Sequence, residues 1–388
     1  MRYNKKLSDI AEISVGFPFQ SRLFNQNGEG FRLIRGKNVG KGFLHWGKDA
    51  MYYVDTKTIN KNYVMQENDV VLAMDGNVVE NKSLVRKKDL PSYLVQRVAR
   101  LRAKDGINQL FLWYVVNTHS FEQYLNSIKT GTTIQHISAK QIGDYRLDLP
   151  DLETQKKIVR VLSAFDKKIE LINYQNHVLE GILQCQFNDW IRGFEPIGEV
   201  GLDKIAKYTN GLAMQKYRPK SDEVGLPVIK IKEMNSGLSK GTERCTGKLK
   251  ENFIVFPGDV LFAWSGTLCV KIWDGKKAGL NQHIFKITSD EYPKWFYYLW
   301  TKKHLVRFIN IAKGKATTMG HIQRKELSIS KALIPNRSEL ARQDRLFAPL
   351  LDKIILNNSQ KQSLVELHDT LFPRLMLGEV DLGRILVK

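Results

Sequence analysis

Two short segments of this sequence carry the residue types of catalytic sites, and both fail on spacing. Gly30–Asn38 has the order of a phosphate-binding loop, but five residues separate its two glycines, and Asn38 stands where Ser or Thr would bind magnesium. Pro150–Lys156 carries the acids and the lysine of a nuclease site within one short stretch. Acidic residues so close together in the sequence are explained better as the cap and first turn of a helix N-terminus. Neither segment therefore predicts catalysis.

A histidine that recurs in two similar loops is the remaining candidate for chemistry. His136 ends the segment Thr132–His136, and His321 ends the segment Thr317–His321. No cysteine, serine or carboxylate recurs beside the two histidines at a shared position. A hydrogen-bonding role in a loop or on DNA is therefore favoured over catalysis.

Other familiar catalytic and metal-binding motifs are absent from the sequence. It contains no glycine-rich dinucleotide fingerprint, no Asn/Asp-Pro-Pro-aromatic motif of amino-methyltransferases and no HExxH. Its three cysteines, Cys185, Cys245 and Cys269, lack CxxC spacing, which disfavours a zinc site and a disulfide framework and indicates a reducing cytoplasm. We therefore expect no catalytic residue, no metal site and no cofactor bound by this chain.

The charge of the chain indicates a polyanionic partner. Sixty Lys and Arg against forty Asp and Glu leave a formal net charge of +20, which nucleic acid or an anionic membrane surface would neutralise. Apolar stretches such as Val70–Met74 are far shorter than the ~20 residues needed to span a bilayer, and the first residues lack the apolar region of a secretory signal. Nucleic acid is favoured, no membrane partner is expected, and the expected location is cytoplasmic.

The sequence repeats itself. Leu7–Ala11, followed by Gly16, matches Leu202–Ala206, followed by Gly211. Further blocks match in the same order about 190 residues apart: Gly30–Arg35 with Gly225–Lys230, Asn68–Gly76 with Gly258–Gly266, and Thr132–Ile137 with Thr317–Ile322. The spacing drifts gradually, which places insertions between the blocks, where loops tolerate them.

Each copy is predicted to be a globular mixed α/β domain followed by a long helix. Runs rich in β-branched residues and bounded by Gly, Asn or Pro predict strands: Arg32–Ile34, Val70–Ala73, Val95–Leu101 and Val228–Ile231. Aromatic and aliphatic residues at helical spacing predict one buried helix per domain, within Ile107–Leu125 and Tyr292–Ile311. The expected fold class is α+β with an internal pseudo-twofold repeat: globular domains 1–150 and 193–336, long helices 151–192 and 337–377, and a tail 378–388.

The two long helices carry the apolar seam of a coiled coil. In the first helix, seam residues alternate steps of four and three with one polar member, Asn176: Ile158, Leu162, Phe165, Ile169, Ile172, Asn176, Leu179 and Leu183. The second helix carries a broader stripe, interrupted near Asn357-Asn358: Phe347, Leu351, Ile354, Leu364, Leu367 and Leu371. Each helix could pack on its own domain, but the 3.5-residue spacing favours a mutual pair, antiparallel if a pseudo-twofold relates the copies.

Basic segments in both copies carry side chains suited to holding phosphates and reaching base edges. The first copy offers Arg35, Lys37, Asn38, Lys41, Arg86, Lys87, Lys129, Thr132, Thr133, Gln135, His136 and Lys140. The second copy offers Lys230, Lys232, Asn235, Lys240, Lys313, Lys315, Thr317, Thr318, His321 and Arg324. The loops before His136 and His321 are the best candidates, because their small residues and hydroxyls allow a DNA backbone to approach closely.

The ordered blocks resemble one known family. Leu7–Gly16, Asn68–Gly76, Lys129–Ile137, Leu147–Pro150 and Gln155–Ile169, repeated over 202–376, are similar to the DNA-specificity subunits of type I restriction–modification systems. The closing segment Leu371–Val380 is similar as well. The resemblance implies two target-recognition domains separated by two spacer helices that form an antiparallel coiled coil. Each domain would read one half of a bipartite, asymmetric double-stranded DNA target, and the helices would set the gap.

The resemblance further implies a non-catalytic subunit that docks two modification subunits and, through them, restriction subunits. S-adenosylmethionine, ATP and magnesium would belong to those partners. Recognition residues are the family's most variable feature, so no base-contacting residue is carried over. Two alternatives remain: a self-sufficient DNA-modifying enzyme, which the missing motifs disfavour, and a coiled-coil adaptor without sequence specificity, which the positive charge and duplicated basic loops disfavour.

Overall fold

A computed structural model of the chain describes residues 2–54, 61–131, 135–239, 241–314 and 320–385. The chain divides into two units: the first unit comprises residues 1–166 and 367–388, and the second unit comprises residues 167–366. Each unit holds one copy of the repeat and part of each long helix.

The first unit is built on an antiparallel sheet in the order β2-β8-β5-β6, beside a sheet in the order β4-β3-β7 and the pair β1-β9. These strands are β1 (Arg2–Lys6), β2 (Ala11–Val15), β3 (Phe31–Ile34), β4 (Tyr52–Tyr53), β5 (Val70–Ala73), β6 (Lys82–Leu84), β7 (Ser92–Leu94), β8 (Val98–Ala103) and β9 (Arg146–Pro150). The helices are α1 (Leu7–Ile10), α2 (Gln109–Val116), α3 (His119–Ile128) and α4 (Ala139–Gly143), followed by the long helix α5 (Leu152–Gly193). The apolar run of β5 is buried throughout, as a strand at the centre of a covered sheet requires.

The second unit repeats this arrangement, with sheets in the orders β11-β18-β15-β16 and β13-β12-β17-β14 and the pair β10-β19. Its strands are β10 (Gly198–Gly201), β11 (Lys207–Asn210), β12 (Leu226–Ile229), β13 (Arg244–Cys245), β14 (Ile254–Val255), β15 (Val260–Ala263), β16 (Cys269–Ile272), β17 (Ala278–Leu280), β18 (Ile284–Thr288) and β19 (Lys331–Ile334). Its helices are α6 (Leu202–Ile205), α7 (Ile231–Ser236), α8 (Lys294–Lys303), α9 (Leu305–Gly314) and α10 (Lys325–Ile329); the long helix α11 (Arg337–Leu377) and α12 (Leu382–Ile385) follow.

The matching strand orders confirm the predicted α+β fold class and its internal repeat. β2-β8-β5-β6 corresponds to β11-β18-β15-β16, and β3 and β7 pair in parallel just as β12 and β17 do. Among the described residues, no helix is both long enough and apolar enough to cross a membrane.

The prediction of one buried helix per domain is wrong, because each segment holds two helices. In Ile107–Leu125, the side chain of Thr118 accepts a hydrogen bond from the backbone N–H of Phe121 and starts α3 directly after α2. In Tyr292–Ile311, α8 ends at Lys303, the half-buried His304 caps it, and α9 begins at Leu305. The aromatic faces themselves are buried in the cores of the units, as predicted.

Two predicted strands also have different ends. The strand expected over Val95–Leu101 begins only at Val98, because Arg97 adopts a left-handed backbone conformation with φ of 66° and turns the chain into β8. The strand expected over Val228–Ile231 ends at Ile229, since Ile231 already begins α7.

The second unit contains an antiparallel contact between α5 and α11. Trp190 near the end of α5 donates to Glu339 at the start of α11, and Asn176 in the middle of α5 meets Asn358. On α5, Ile172 and Leu183 are fully buried and Ile169 and Leu179 half-buried, and on α11 Phe347, Leu351 and Ile354 are buried. The buried seam of α5 continues by the same four-three step to Phe187 and Trp190, which the sequence analysis did not include.

A polar layer crosses this seam where the sequence seemed to interrupt it. Asn176 Nδ2 donates to Asn358 Oδ1 at 2.7 Å, and Asn357 Nδ2 donates to Asn176 Oδ1 at 2.8 Å. Asn357 and Asn358 are 1% and 9% exposed. The two asparagines therefore lie within a continuous helix and are the partners of Asn176. The hydrogen bonds between the three amides satisfy polar groups that would otherwise be buried without a partner.

The first turn of α11 is tied to the end of α5 through one carboxylate. Glu339 accepts hydrogen bonds from Arg342, from Gln343 Nε2 at 3.0 Å and from Trp190 Nε1 at 2.7 Å. These hydrogen bonds, that of Arg342 above all, lower the pKa of Glu339 to about 2.

In the first unit, the beginning of α5 and the end of α11 share a core with the globular part. Ile158 and Leu162 of α5 are fully buried with Leu375 of α11, and the half-buried Phe165, Leu371 and Phe372 pack against the same cluster. Tyr114 of α2 joins this core and donates to Asp166 Oδ2 at 2.7 Å. Here the long helices pack both on each other and on a globular domain, so the two alternatives of the sequence analysis both occur.

Leu367 does not lie in the seam predicted for it. Its side chain is 52% exposed, whereas the neighbouring His368 stacks on Phe372 and has its ring near Phe165. Four-three steps from Ile354 lead through Asn358 to His368, Phe372 and Leu375, so the buried stripe of α11 lies one residue beyond the predicted Leu367. Leu364, also predicted, is half-buried.

Candidate nucleic-acid interface

In the first unit, three polar side chains from separate segments meet just beyond the end of β5, and we call them the first hub: Asp75, Arg97 and His136. Arg97 Nη1 donates to Asp75 Oδ2 at 2.7 Å, and His136 Nδ1 lies 2.5 Å from Asp75 Oδ1. The side chains of Arg97 and His136 are 69% and 51% exposed, whereas that of Asp75 is only 22% exposed. The half-buried carboxylate of Asp75 thus holds the two exposed side chains by hydrogen bonds.

The hydrogen bonds keep this carboxylate ionised. Burial raises the pKa of Asp75, but the hydrogen bonds from Arg97 and His136 outweigh it and leave the pKa below its ordinary value. At neutral pH Asp75 is therefore a charged acceptor that orients both neighbours.

The second unit places three side chains at the matching positions, and we call them the second hub: Ser265, His283 and His321. Ser265 is buried, and its hydroxyl lies 3.0 Å from His283 Nδ1. His321 is exposed and stands edge-on to the indole of Trp264, with ring centroids 6.3 Å apart. The indole itself donates through Nε1 to Asn210 at 3.0 Å.

The backbone around the two hubs is hydrogen-bonded in the same way. Met74 N–H donates to Arg97 C=O and Ile137 N–H to Met74 C=O; in the second unit, Trp264 N–H donates to His283 C=O and Ile322 N–H to Trp264 C=O. The bridges Asp75–His136 and Ser265–His321 are likewise equivalent. One backbone framework therefore presents two different sets of side chains.

The basic segment after β3 is partly structural. Asn38, predicted to contact DNA, is 1% exposed, and its Nδ2 donates to the His45 carbonyl at 2.9 Å while its Oδ1 accepts from Arg35. That prediction is therefore corrected: the side chain closes the turn Gly36–Asn38 from within and does not face solvent. Lys37 is 49% exposed and pairs with Asp49.

Two basic segments that the sequence analysis treated separately lie next to each other. Trp46 Nε1 donates to Asp89 Oδ1 at 2.6 Å, and Asp89 ends the turn that Lys87 begins. Arg86 and Lys87 are exposed on this turn, and Lys41 is exposed on the neighbouring loop.

Around the first hub, the remaining predicted residues of the first unit are spread over the loop and α4. Lys129 and Gln135 are half-buried, and the Gln135 carbonyl accepts from Gly76 N–H. Lys140 is exposed on α4. Thr132 and Thr133 lie outside the described residues.

The predicted residues of the second unit are mostly exposed. Lys230 pairs with Glu243, and Lys232 and Asn235 are exposed on α7, where Asn235 donates to the Ile231 carbonyl. Lys313 is exposed at the end of α9, and Arg324 donates to the Tyr208 carbonyl at 3.1 Å. Lys240, Lys315, Thr317 and Thr318 lie outside the described residues.

The chemistry of the hubs favours binding over catalysis. His136 contacts a carboxylate and an exposed arginine shares it, but in the second unit the matching position of the carboxylate is Ser265. The carboxylate that orients a histidine in the first hub is therefore not repeated in the second hub. Within the described ranges, no cluster of three or more His, Cys, Asp and Glu is placed to hold a metal ion.

Comparison with models of protein families identifies the family of this chain. The model of the type I restriction modification DNA specificity domain matches it twice, over residues 3–181 and 195–366. The chain belongs to this family. The two matches coincide with the two copies of the repeat and confirm the predicted role as a specificity subunit, a DNA-recognition subunit rather than a catalytic one.

Individual specificity subunits are similar over different lengths. The MjaIX specificity subunit of Methanocaldococcus jannaschii is 25% identical over 307 residues, which is 71% of this chain and 70% of the relative. The EcoAI specificity subunit of Escherichia coli is 28% identical over 190 residues, 47% of this chain and 31% of the relative. The crystal structure of the S subunit of a type I restriction-modification system from M. genitalium shares the fold, with a TM-score of 0.59, 14% identity and coverage of 97% and 96% of the two chains.

Sequence reasoning found one member of each hub and missed the others. His136 and His321 were visible because their loops repeat. Asp75 and Ser265 lie in a second repeated block, each directly before a glycine, so a signal for them was present. Arg97 and His283 had no such signal, because only the turn into β8 or β18 brings them to the hub.

Proposed function

We propose that this specificity subunit binds double-stranded DNA and reads a bipartite, asymmetric target, with one half-target for each unit. The observation that carries the proposal is that one backbone framework recurs with a different set of side chains: the histidine is kept at 136 and 321, whereas Asp75 and Arg97 are replaced by Ser265 and His283. Equal frameworks with unequal side chains suit two half-targets of unlike sequence. The net charge of +20 supplies the phosphate attraction.

In this proposal the predicted lysine and arginine residues hold the backbone of the DNA. Their role is positioning, because phosphate contacts fix register without carrying sequence information. Lys41, Arg86 and Lys87 form one such patch in the first unit, and Lys232 and Lys313 contribute in the second. The globular domains 1–150 and 193–336 would be the two readers, and the helices 151–192 and 337–377 would set the gap between half-targets.

We further propose that the long helices dock two modification subunits, which carry restriction subunits in turn. An apolar stripe lies open on α5: Leu171, Tyr174, Val178 and Ile182 are 47%, 66%, 40% and 38% exposed. Leu356 of α11, which matches Leu171 in the repeat, is 62% exposed. Open apolar side chains at matching positions on two helices suit two copies of one partner.

Catalysis in the assembly would belong to those partners. S-adenosylmethionine, ATP and magnesium are expected on the modification and restriction subunits and not on this chain. Because the proposed target is the DNA of the cell or DNA that enters it, we expect the assembly to act in the cytoplasm.

The proposal is tested by mapping DNA methylation in cells with and without this chain. We expect a split motif, two defined halves around an undefined gap, to lose its methylation when the chain is removed and regain it when the chain is restored. A methylation pattern that is unchanged by removal would contradict the proposal. So would methyl transfer from S-adenosylmethionine to DNA by the purified chain alone, which would support the self-sufficient enzyme.

A further inference from the structure

We propose that Arg97 reads a guanine in the half-target of the first unit and that His283 is the base-reading residue at the matching place in the second unit. This inference rests on the proposed DNA-reading function and names two specificity-determining residues for it. Both residues lie in the turn that enters an equivalent strand, β8 or β18.

The two turns have the same hydrogen bond but a different backbone at the third position. Val98 N–H donates to Val95 C=O, and Ile284 N–H donates to Asn281 C=O, so each turn closes over four residues. Arg97 has a φ of 66°, in the left-handed region that a non-glycine residue seldom occupies, whereas His283 needs no positive φ in the equivalent turn. The same four-residue closure is thus made in the second unit without a positive φ, so the left-handed residue is particular to the first unit. Uncommon backbone conformations of this kind are often found at functional sites.

The surroundings of Arg97 aim its guanidinium outward. Val95 and Val98, the first and last residues of the turn, are buried, whereas 69% of the Arg97 side chain is exposed. Asp75 Oδ2 accepts from Nη1, and Asp75 itself is fixed through Oδ1 by His136. A guanidinium has five N–H donors in one plane, so a carboxylate that holds Nη1 sets this plane and leaves donors for a second acceptor pair.

Guanine offers the acceptor pair that fits this plane. Its O6 and N7 lie side by side in the major groove and accept two parallel hydrogen bonds from arginine, which no other base edge does as well. Asp75 is then a positioning residue, because it orients Arg97 without touching DNA.

His283 cannot make the same contact. Its Nδ1 is engaged by Ser265 Oγ at 3.0 Å, and its Nε2 lies 3.4 Å from Gln282 Nε2. Because the Gln282 amide nitrogen can only donate, His283 Nε2 is the acceptor of this long contact, and a single acceptor lacks the paired donors that recognise guanine. The two units therefore read different base-pair edges from the same position of their frameworks.

The test combines methylation mapping with site-specific changes in the DNA. Cells expressing the complex with Arg97→Lys are expected to methylate the same split motif with one guanine of one half-target relaxed to other bases, a loss of preference of roughly 10- to 100-fold. Lysine keeps the charge and the exposed position but lacks the planar pair of donors. Arg22→Ala is the matched control, since Arg22 is an exposed arginine of the same unit outside the hub.

A binding measurement keeps the inference testable if the variant complex loses activity. The purified complex is titrated with target duplexes in which each guanine in turn is replaced by 7-deazaguanine, which lacks the N7 acceptor. The wild-type complex should lose affinity at one guanine, and Arg97→Lys should be insensitive at that same guanine; Asp75→Asn should show an intermediate loss.

The outcomes separate the inference from the function on which it rests. A wild-type motif that Arg97→Lys leaves unchanged, or that relaxes in both halves, would overturn the role of Arg97. His283→Ala should relax only the other half-target, and relaxation in the first half would overturn the role of His283. A wild-type complex with no sequence preference at all would instead refute the proposed function.

Discussion

The polar layer between α5 and α11 allows a quantitative test of the helix pair. Replacing Asn176 with leucine removes the acceptor of Asn357 Nδ2 and the donor to Asn358 Oδ1. The two groups left without a hydrogen-bond partner belong to side chains that are at least nine-tenths buried. A buried polar group left without a partner costs ~1–3 kcal/mol, so two of them cost ~2–6 kcal/mol.

The expected loss lies in the lower part of this range. Asn176 itself is only half-buried, so water reaches part of the layer, and the new leucine side chain gains some apolar burial. We therefore expect Asn176→Leu to lower the free energy of unfolding by ~2–3 kcal/mol. At a urea dependence of ~3 kcal/mol per M, the unfolding midpoint falls by ~1 M.

The assay is urea unfolding of the full chain, followed by the helical circular-dichroism signal. Gln175→Leu is the matched control, because it adds the same side chain at the adjacent exposed position. The triple variant that replaces Asn176, Asn357 and Asn358 with leucine should regain or exceed the wild-type midpoint, since it leaves no buried amide unpaired. An unchanged midpoint for the single variant, or a triple variant as unstable as the single one, would refute this reasoning.

Three further predictions concern the same helices. Because its pKa is lowered, ionised Glu339 stabilises the fold fully above its ordinary pKa of 4.5, and this stabilisation is lost as the pH falls towards about 2. Glu339→Gln should therefore lower the melting temperature at pH 7, and the difference from wild type should shrink towards pH 3. A difference in melting temperature that does not change with pH would contradict this prediction. Inserting four residues after Leu171, about one turn or ~6 Å, should lengthen the undefined gap in the methylated motif, and an unchanged gap would mean that the helices do not set it. Leu171→Glu with Leu356→Glu should abolish co-purification with the modification subunit, whereas the control Val306→Glu, at a more exposed apolar position on α9, should not. Co-purification of the double variant at wild-type levels would contradict the docking proposal.

The first long helix could be predicted closely from its sequence, and the second could not. In α5 the apolar residues alternate regularly around a single asparagine, so the pattern itself defines the face. In α11 the adjacent Asn357 and Asn358 resemble a break, and only a partner about 180 residues away in sequence turns them into a satisfied layer. Leu367 was assigned to the seam because it belongs to a row of leucines, whereas four-three steps that count Asn358 as a seam residue lead to His368 instead.

Part of the candidate site could likewise be predicted from the sequence, and part of it could not. His136 and His321 could be found because their loops repeat, but Asn38 looked like a DNA contact among basic residues and is in fact enclosed by its own turn. Asp75 follows β5 and Arg97 precedes β8, and these strands are neighbours only in the folded sheet, so no spacing in the chain connects the two residues. Long-range strand pairing brought the hub together, and a single sequence does not encode that pairing in any local pattern.

The asymmetry of the polar layer also bears on which helices can associate. In the repeat, Leu171–Asn173 corresponds to Leu356–Asn358, so two α5 helices from separate chains in the same register would set Asn176 against Ile172 and Asn173. Ile172 then stands in the place of Asn357, so the Asn176 amide oxygen loses the donor that Asn357 supplies. Two α11 helices would set Asn357 and Asn358 against Lys361, at the place of Asn176, and would enclose an ammonium group. Each homotypic pair leaves a polar group unsatisfied, whereas α5 with α11 satisfies the layer. The two copies of the repeat have thus diverged at the positions where two like helices from separate chains would pair. This divergence disfavours such a dimer relative to the pairing of α5 with α11.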